Sequence, residues 1–132
     1  MNNEMYNKYK DVELTEPLVN MYAELIAKDE ITKKVFVYIG KRTELARLNT
    51  SNSKIGATIS GITTDIQTFR NVKVKNSNKF KKVQAPMERK HVERVVTSLL
   101  LTGLCYYEEV GKTKVIYCTK RGIQVLRYGK TT

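Results

Sequence analysis

The sequence has no tryptophan, one histidine, two cysteines and two prolines in 132 residues. Two cysteines are too few for the disulfide framework that small secreted domains use to reinforce a thin core. With a single histidine they also fall short of a convincing zinc site. His91 has no second histidine beside it, and no Ser/His/Asp or Cys/His arrangement surrounds it. No catalytic residue, metal or cofactor is expected, and the chain reads as a binding protein rather than an enzyme. No apolar run reaches the ~18 residues of a membrane-spanning helix, and the N-terminus MNNEMYNKYKDVE has no apolar stretch of the signal-peptide type. A cytoplasmic location with no membrane partner is the expectation. The segment IGKRTE at 39–44 lacks the spaced first glycine of a phosphate-binding loop and falls inside a helical pattern.

Acid is scarce too: 13 Asp and Glu stand against 24 Lys and Arg, a net charge of +11. The imbalance is uneven. Residues 1–30 hold three Lys/Arg and seven Asp/Glu, a balance of −4, so residues 31–132 hold 21 and six, a balance of +15. Such a basic body is suited to a polyanion, because lysines and arginines release counterions condensed on phosphates. A ribosomal or anionic-membrane partner satisfies the charge alone equally well, so pattern must decide between them.

The 41% hydrophobic residues suffice for one modest core. Residues 1–13 are polar, with isolated tyrosines and no period, and are expected to form a flexible acidic arm before a single domain at 14–132. Thr15 suits the N-cap of a helix with Pro17 in its first turn, and Leu18, Met21, Tyr22, Leu25 and Ile26 recur at helical spacing. A second helix is expected over 31–48 with Val35, Ile39, Leu45 and Leu48 inward and Gly40 in its middle. NTSNSK at 49–54 has loop composition. GATIS at 56–60 suits a short strand, and ITTDIQTFRN a short helix capped by Thr63. The following NVKVKNSNKFKKVQA is expected as a basic loop or a helical extension reaching along a DNA backbone, with Lys79, Lys81 and Lys82 as phosphate contacts. Residues 70–94 hold nine cations, Arg70, Lys73, Lys75, Lys79, Lys81, Lys82, Arg89, Lys90 and Arg94, against Glu88 and Glu93.

The stretch from Pro86 to Tyr128 is the most informative. Pro86 suits the first position of a helix and Gly103 the position just past its end. Val92, Val95, Val96, Leu99 and Leu100 form its inward stripe, while Lys90, His91, Arg94, Thr97 and Ser98 lie on the other side. Arg or Lys can pair with guanine, and Ser or Thr adapts to several bases, so Arg94 is the first candidate for base contact, with His91, Thr97 and Ser98 around it. The sequence CYYEEVGKTKVIYCT then reads as a β-hairpin turning on Gly111 and Lys112. That turn places Glu109 opposite Lys114, Tyr107 opposite Ile116, Tyr106 opposite Tyr117 and Cys105 opposite Cys118. Lys112 and Lys114 at its tip would meet phosphates. The adjacent cysteines are expected to be reduced and buried. A helix, KRGIQVLRY, follows.

The run RKHVERVVTSLLLTGLCYYEEVGKTKVIYCTKRGIQVL resembles the winged helix-turn-helix core shared by bacterial MarR-like repressors and TubR-like centromere-binding adaptors. In both groups a Gly-plus-apolar step, here Thr102-Gly103-Leu104, leads into a wing that closes on a Thr-x-x-Gly helix start, here Thr119-Lys120-Arg121-Gly122. The likeness covers roughly the last third of the chain well and 54–70 loosely, while 71–85 matches neither group. MarR-like proteins usually add a long C-terminal dimerisation helix, which this sequence lacks before Thr132, so it is more similar to the TubR-like group. The resemblance implies an α+β fold, mostly helical with a small antiparallel β-wing. It further implies a homodimer that coats repeated sites on double-stranded DNA and hands them to a tubulin-like (TubZ-type), filament-forming GTPase in plasmid or phage partition. By position, the DNA contacts would be Arg89, Lys90, Arg94, Thr97 and Ser98 on the recognition helix and Lys112 and Lys114 on the wing. A transcriptional repressor is the main alternative. A winged helix used only for protein contact would lack Lys and Arg on that surface, and an RNA binder should expose stacked aromatics on a sheet.

Overall fold

In the computed structural model, which describes residues 1–48 and 56–131, Asn2 starts the first helix. Its side-chain oxygen accepts the Met5 amide at 2.9 Å, satisfying one of the donors left open at the start of α1 (Asn3–Tyr9). The segment expected as a flexible arm, 1–13, carries this helix and makes contacts with the body. Tyr6 stacks on Tyr106 with ring centroids 3.6 Å apart, the Tyr107 amide donates to the Met1 carbonyl at 3.0 Å, and the Arg121 guanidinium donates to the carbonyls of Tyr9 and Val12 at 2.8 Å each. Isolated tyrosines carry no periodic signal, and their partners come from residues about a hundred positions away.

Thr15 and Pro17 take their expected places at the start of α2 (Glu16–Ala27), although the Thr15 hydroxyl makes no capping bond. This helix packs on α3 (Glu30–Leu48) and on the last helix, burying Val19 and half-burying Tyr22, Ala23 and Ile26. Leu18, Met21 and Leu25 remain exposed. In α3, Val35 and Ile39 are fully buried as expected, and Phe36 joins them, but Leu45 and Leu48 are 50% and 83% exposed. The core side chains stop near Thr43, whose hydroxyl donates to the Ile39 carbonyl and accepts the Cys118 amide at 2.9 Å. Gly40 belongs to a close helix crossing, since a Cβ there would lie 2.3 Å from Leu126 Cδ1. The loop expected at 49–54 lies outside the described residues.

The strand expected at 56–60 contracts to a single bridge between Ala57 and Ile116. Thr58, not Thr63, caps α4 (Ile59–Asp65), its hydroxyl accepting the Gly61 amide at 3.0 Å. The Thr63 hydroxyl donates back to the Ile59 carbonyl, inside the helix. Ile66 turns extended, so the helix ends well before Asn71.

From there the chain forms an antiparallel ribbon of β1 (Gln67–Lys73) and β2 (Phe80–Pro86). This replaces the basic loop or helical extension expected at 71–85. Asn76 supplies the positive φ of its turn, at 63°, a conformation asparagine tolerates. Pro86 ends β2 rather than starting a helix, which suits a residue with no amide to give the ladder. The buried Met87 follows, then Glu88 at the N-cap of α5 (Arg89–Leu101).

Gly103, with φ at 76°, turns the chain out of α5 into the hairpin of β3 (Cys105–Val110) and β4 (Thr113–Cys118). Its register is the expected one in every pair. Cys105 and Cys118 are both free and buried; the hydrogen bond with Cys105, then burial, raises the Cys118 thiol well above its usual range. Thr119 leads into α6 (Lys120–Thr131). The molecule is thus an α+β fold whose core joins α3, α4, α5, the β3–β4 hairpin and α6 through residues such as Phe36, Ile39, Ile62, Val92, Leu104, Ile116 and Val125. Among the described residues no helix is long and apolar enough to cross a membrane.

Candidate nucleic-acid interface

The apolar stripe of α5 turns inward, with Val92, Val95, Val96 and Leu99 buried. At 3.6 residues per turn the line opposite it runs through Lys90, Arg94, Thr97 and Leu101, at intervals of four, three and four. All four are exposed. The first turn of α5 contains Arg89 and Lys90, with Glu88 at the N-cap as the nearest carboxylate before it, and the two cations are the reverse of what the helix dipole favours. Two cations beside unpaired helical amides cost stability in isolation and suit an anion.

The other residues expected on this helix sit at its edges. Arg89 Nε donates to Glu93 Oε1 and its Nη1 to Ser60 Oγ, both at 3.2 Å, tying α5 to α4. The Ser98 hydroxyl donates to the Arg94 carbonyl at 3.1 Å, which occupies its proton. His91 is half-buried. Of the expected helix contacts, the fold therefore aligns Lys90, Arg94 and Thr97 on the outermost line and leaves Arg89, His91 and Ser98 flanking it.

Beyond the C-terminal end of α5, the β3–β4 hairpin exposes Lys112 in its turn. The Lys114 ammonium lies 4.7 Å from the centroid of the Tyr107 ring, a cation–π contact, while Glu109 is its cross-strand partner. Tyr106 is packed between Tyr6 and Tyr117, at centroid distances of 3.6 and 5.4 Å. Tyr6, Tyr106 and Tyr117 are thereby committed to internal stacking.

At the N-terminal end of α5 stands the β1–β2 ribbon. Lys79 lies in its turn and Lys81 and Lys82 on β2, all exposed, and no Asp or Glu occurs from Ile66 to Met87. The candidate surface is therefore one helix flanked at its two ends by hairpins with lysines at their tips. Sequence reasoning missed two of its residues. Leu101 is 83% exposed, and its place on the line of Lys90 and Arg94 was available from helical spacing alone. Phe80 is 66% exposed and gave no signal, because the ribbon that presents it was not recognised. The chain matches no family model, and neither the curated proteins nor the solved structures contain a match to it.

Proposed function

We propose that the protein is a winged helix-turn-helix that binds double-stranded DNA, with α5 as recognition helix and β3–β4 as wing. The observation that carries this reading is the exposed line of Lys90, Arg94, Thr97 and Leu101 on α5, a helix that follows one lysine-tipped hairpin in the chain and precedes another. Three features support the fold assignment. Apart from the β1–β2 ribbon inserted between α4 and α5, the order α3, bridge, α4, α5, hairpin is that of a winged helix; the Ala57–Ile116 bridge ties the segment before α4 to the wing; and α4 packs directly on α5. The side-chain chemistry fits duplex readout. Arg94 can pair with a guanine edge, Thr97 adapts, and Leu101 offers an apolar surface to a thymine methyl. Lysines on both hairpins would hold phosphates and fix register without reading sequence.

Within that class we favour a homodimeric centromere-binding adaptor of the TubR type, serving a tubulin-like filament-forming GTPase, over a transcriptional repressor. The unpartnered stripe of Leu18, Met21 and Leu25 on α2 supports self-association. The test of DNA binding is a duplex titration at several salt concentrations. With ~6–10 phosphate contacts per dimer, affinity should fall by about 10³–10⁵ between 50 and 200 mM salt. A salt-independent affinity, or no binding at low salt, would reject the proposal.

A further inference from the structure

The β1–β2 ribbon has no counterpart in the winged-helix order of elements, and its features point to more than phosphate holding. Five of the six β2 residues before Pro86 are exposed and only Ala85 is half-buried, so β2 does not cover the core. A strand this exposed adds little to the stability of a domain of this size.

Its side chains are arranged in a specific way. In an antiparallel pair, directly opposed residues share a face, as do residues two apart. Lys73 is the register partner of Phe80, so Phe80 lies on one face between Lys73 across the ribbon and Lys82 two positions along. Lys81 projects from the other face. A ribbon lying flat against phosphates needs cations on one face only. One that enters a groove meets a phosphate wall on each side, and this one carries lysines on both.

We propose that the ribbon is a second DNA-contacting arm, which enters the minor groove next to the α5 site and inserts Phe80 between base pairs as a bending wedge. This rests on the duplex-DNA reading above. The reach is suitable: Phe80 stands six residues from Pro86, at which the ribbon meets α5, or roughly 20 Å of extended chain. Successive major and minor grooves lie about half of a ~34 Å turn apart. Phenylalanine is among the side chains that unstack base steps from the minor groove and kink the duplex by ~20–90°. The absence of any carboxylate from Ile66 to Met87 fits a segment surrounded by phosphates.

The test uses the full chain and a duplex of about three helical turns, selected for binding from a random pool and labelled at both ends for energy transfer. The parent protein should shorten the end-to-end distance. Phe80→Ala, a change at an exposed position that should leave the thermal midpoint unaltered, should bind about tenfold more weakly and leave the duplex straight. Phe80→Leu, which keeps an apolar wedge, should retain most of the bend. A bend undiminished in Phe80→Ala would overturn the wedge. So would a loss confined to a single-stranded oligonucleotide of the same sequence, which would make Phe80 a stacking platform for unpaired bases. Failure of the parent to bind the duplex at all would instead defeat the DNA reading on which the wedge stands.

Discussion

Among single residues, Thr119 connects more of the fold than any candidate contact residue does. It is 1% exposed. Its hydroxyl donates to the Gly103 carbonyl at 2.7 Å, lies 3.0 Å from that of Leu104, and accepts the Gly122 amide at 3.1 Å. One oxygen thus caps α6 and fastens it to the turn between α5 and β3. Gly122 completes the motif because a Cβ there would lie 2.2 Å from the Leu104 carbonyl oxygen. The Thr-x-x-Gly spacing was legible in the sequence; its cause, a backbone contact to the chain sixteen to eighteen residues earlier, was not. Thr119→Val keeps the volume and removes these bonds. Loss of a cap costs ~1 kcal/mol, and a buried carbonyl left without a donor ~1–3 kcal/mol, so the variant should lose about 2–4 kcal/mol in urea unfolding. An unchanged midpoint would mean that water or a backbone shift replaces the hydroxyl.

At the scale of elements, legibility followed local pattern. The β3–β4 register followed from its two-residue turn, and the inward face of α5 from the spacing of Val92, Val95, Val96 and Leu99, because both depend on side chains close in sequence. The β1–β2 ribbon had neither aid. Its connection, Val74 to Lys79, is longer than a tight turn and is closed by bonds such as Val74 N to the Lys79 carbonyl at 3.0 Å; its sequence shows no alternation of apolar and polar residues. Pro86 misled for a related reason, since a proline fits a strand end as well as a helix start. The same distinction between elements separates reading from holding. Arg94→Ala on α5 should cost ~1–3 kcal/mol on a cognate duplex and relax preference at one base pair, whereas Lys112→Ala in the hairpin turn should weaken all sequences alike. Binding measured on cognate and random duplexes decides, and equal losses on both for Arg94→Ala would reduce it to a phosphate anchor.

For the whole molecule, the question is how one small basic body would serve segregation rather than repression. A repressor needs one or two operator sites, while a partition adaptor must gather many dimers on tandem repeats so that weak contacts add by multivalency. The N-terminal segment is not a free arm for recruiting a partner, because Tyr6 is stacked on the β3–β4 hairpin and Arg121 holds the carbonyls of Tyr9 and Val12. A second copy is better served by α2, where Leu18, Met21 and Leu25, spaced three and four apart, are 41%, 45% and 57% exposed on a helix packed to the body by its other face. If α2 pairs the protomers, Leu18→Glu with Leu25→Glu should give a monomer by sedimentation that is still folded, since neither residue is in the core. Two half-sites per dimer would then become one, and the monomer should lose both affinity and the sharp cooperativity expected on repeated sites. Footprinting the parent protein on its native replicon should show protection spreading across several repeats over a narrow concentration range. A single isolated footprint at a promoter, with simple binding, would favour the repressor and leave the proposal that α5 binds duplex DNA unaffected.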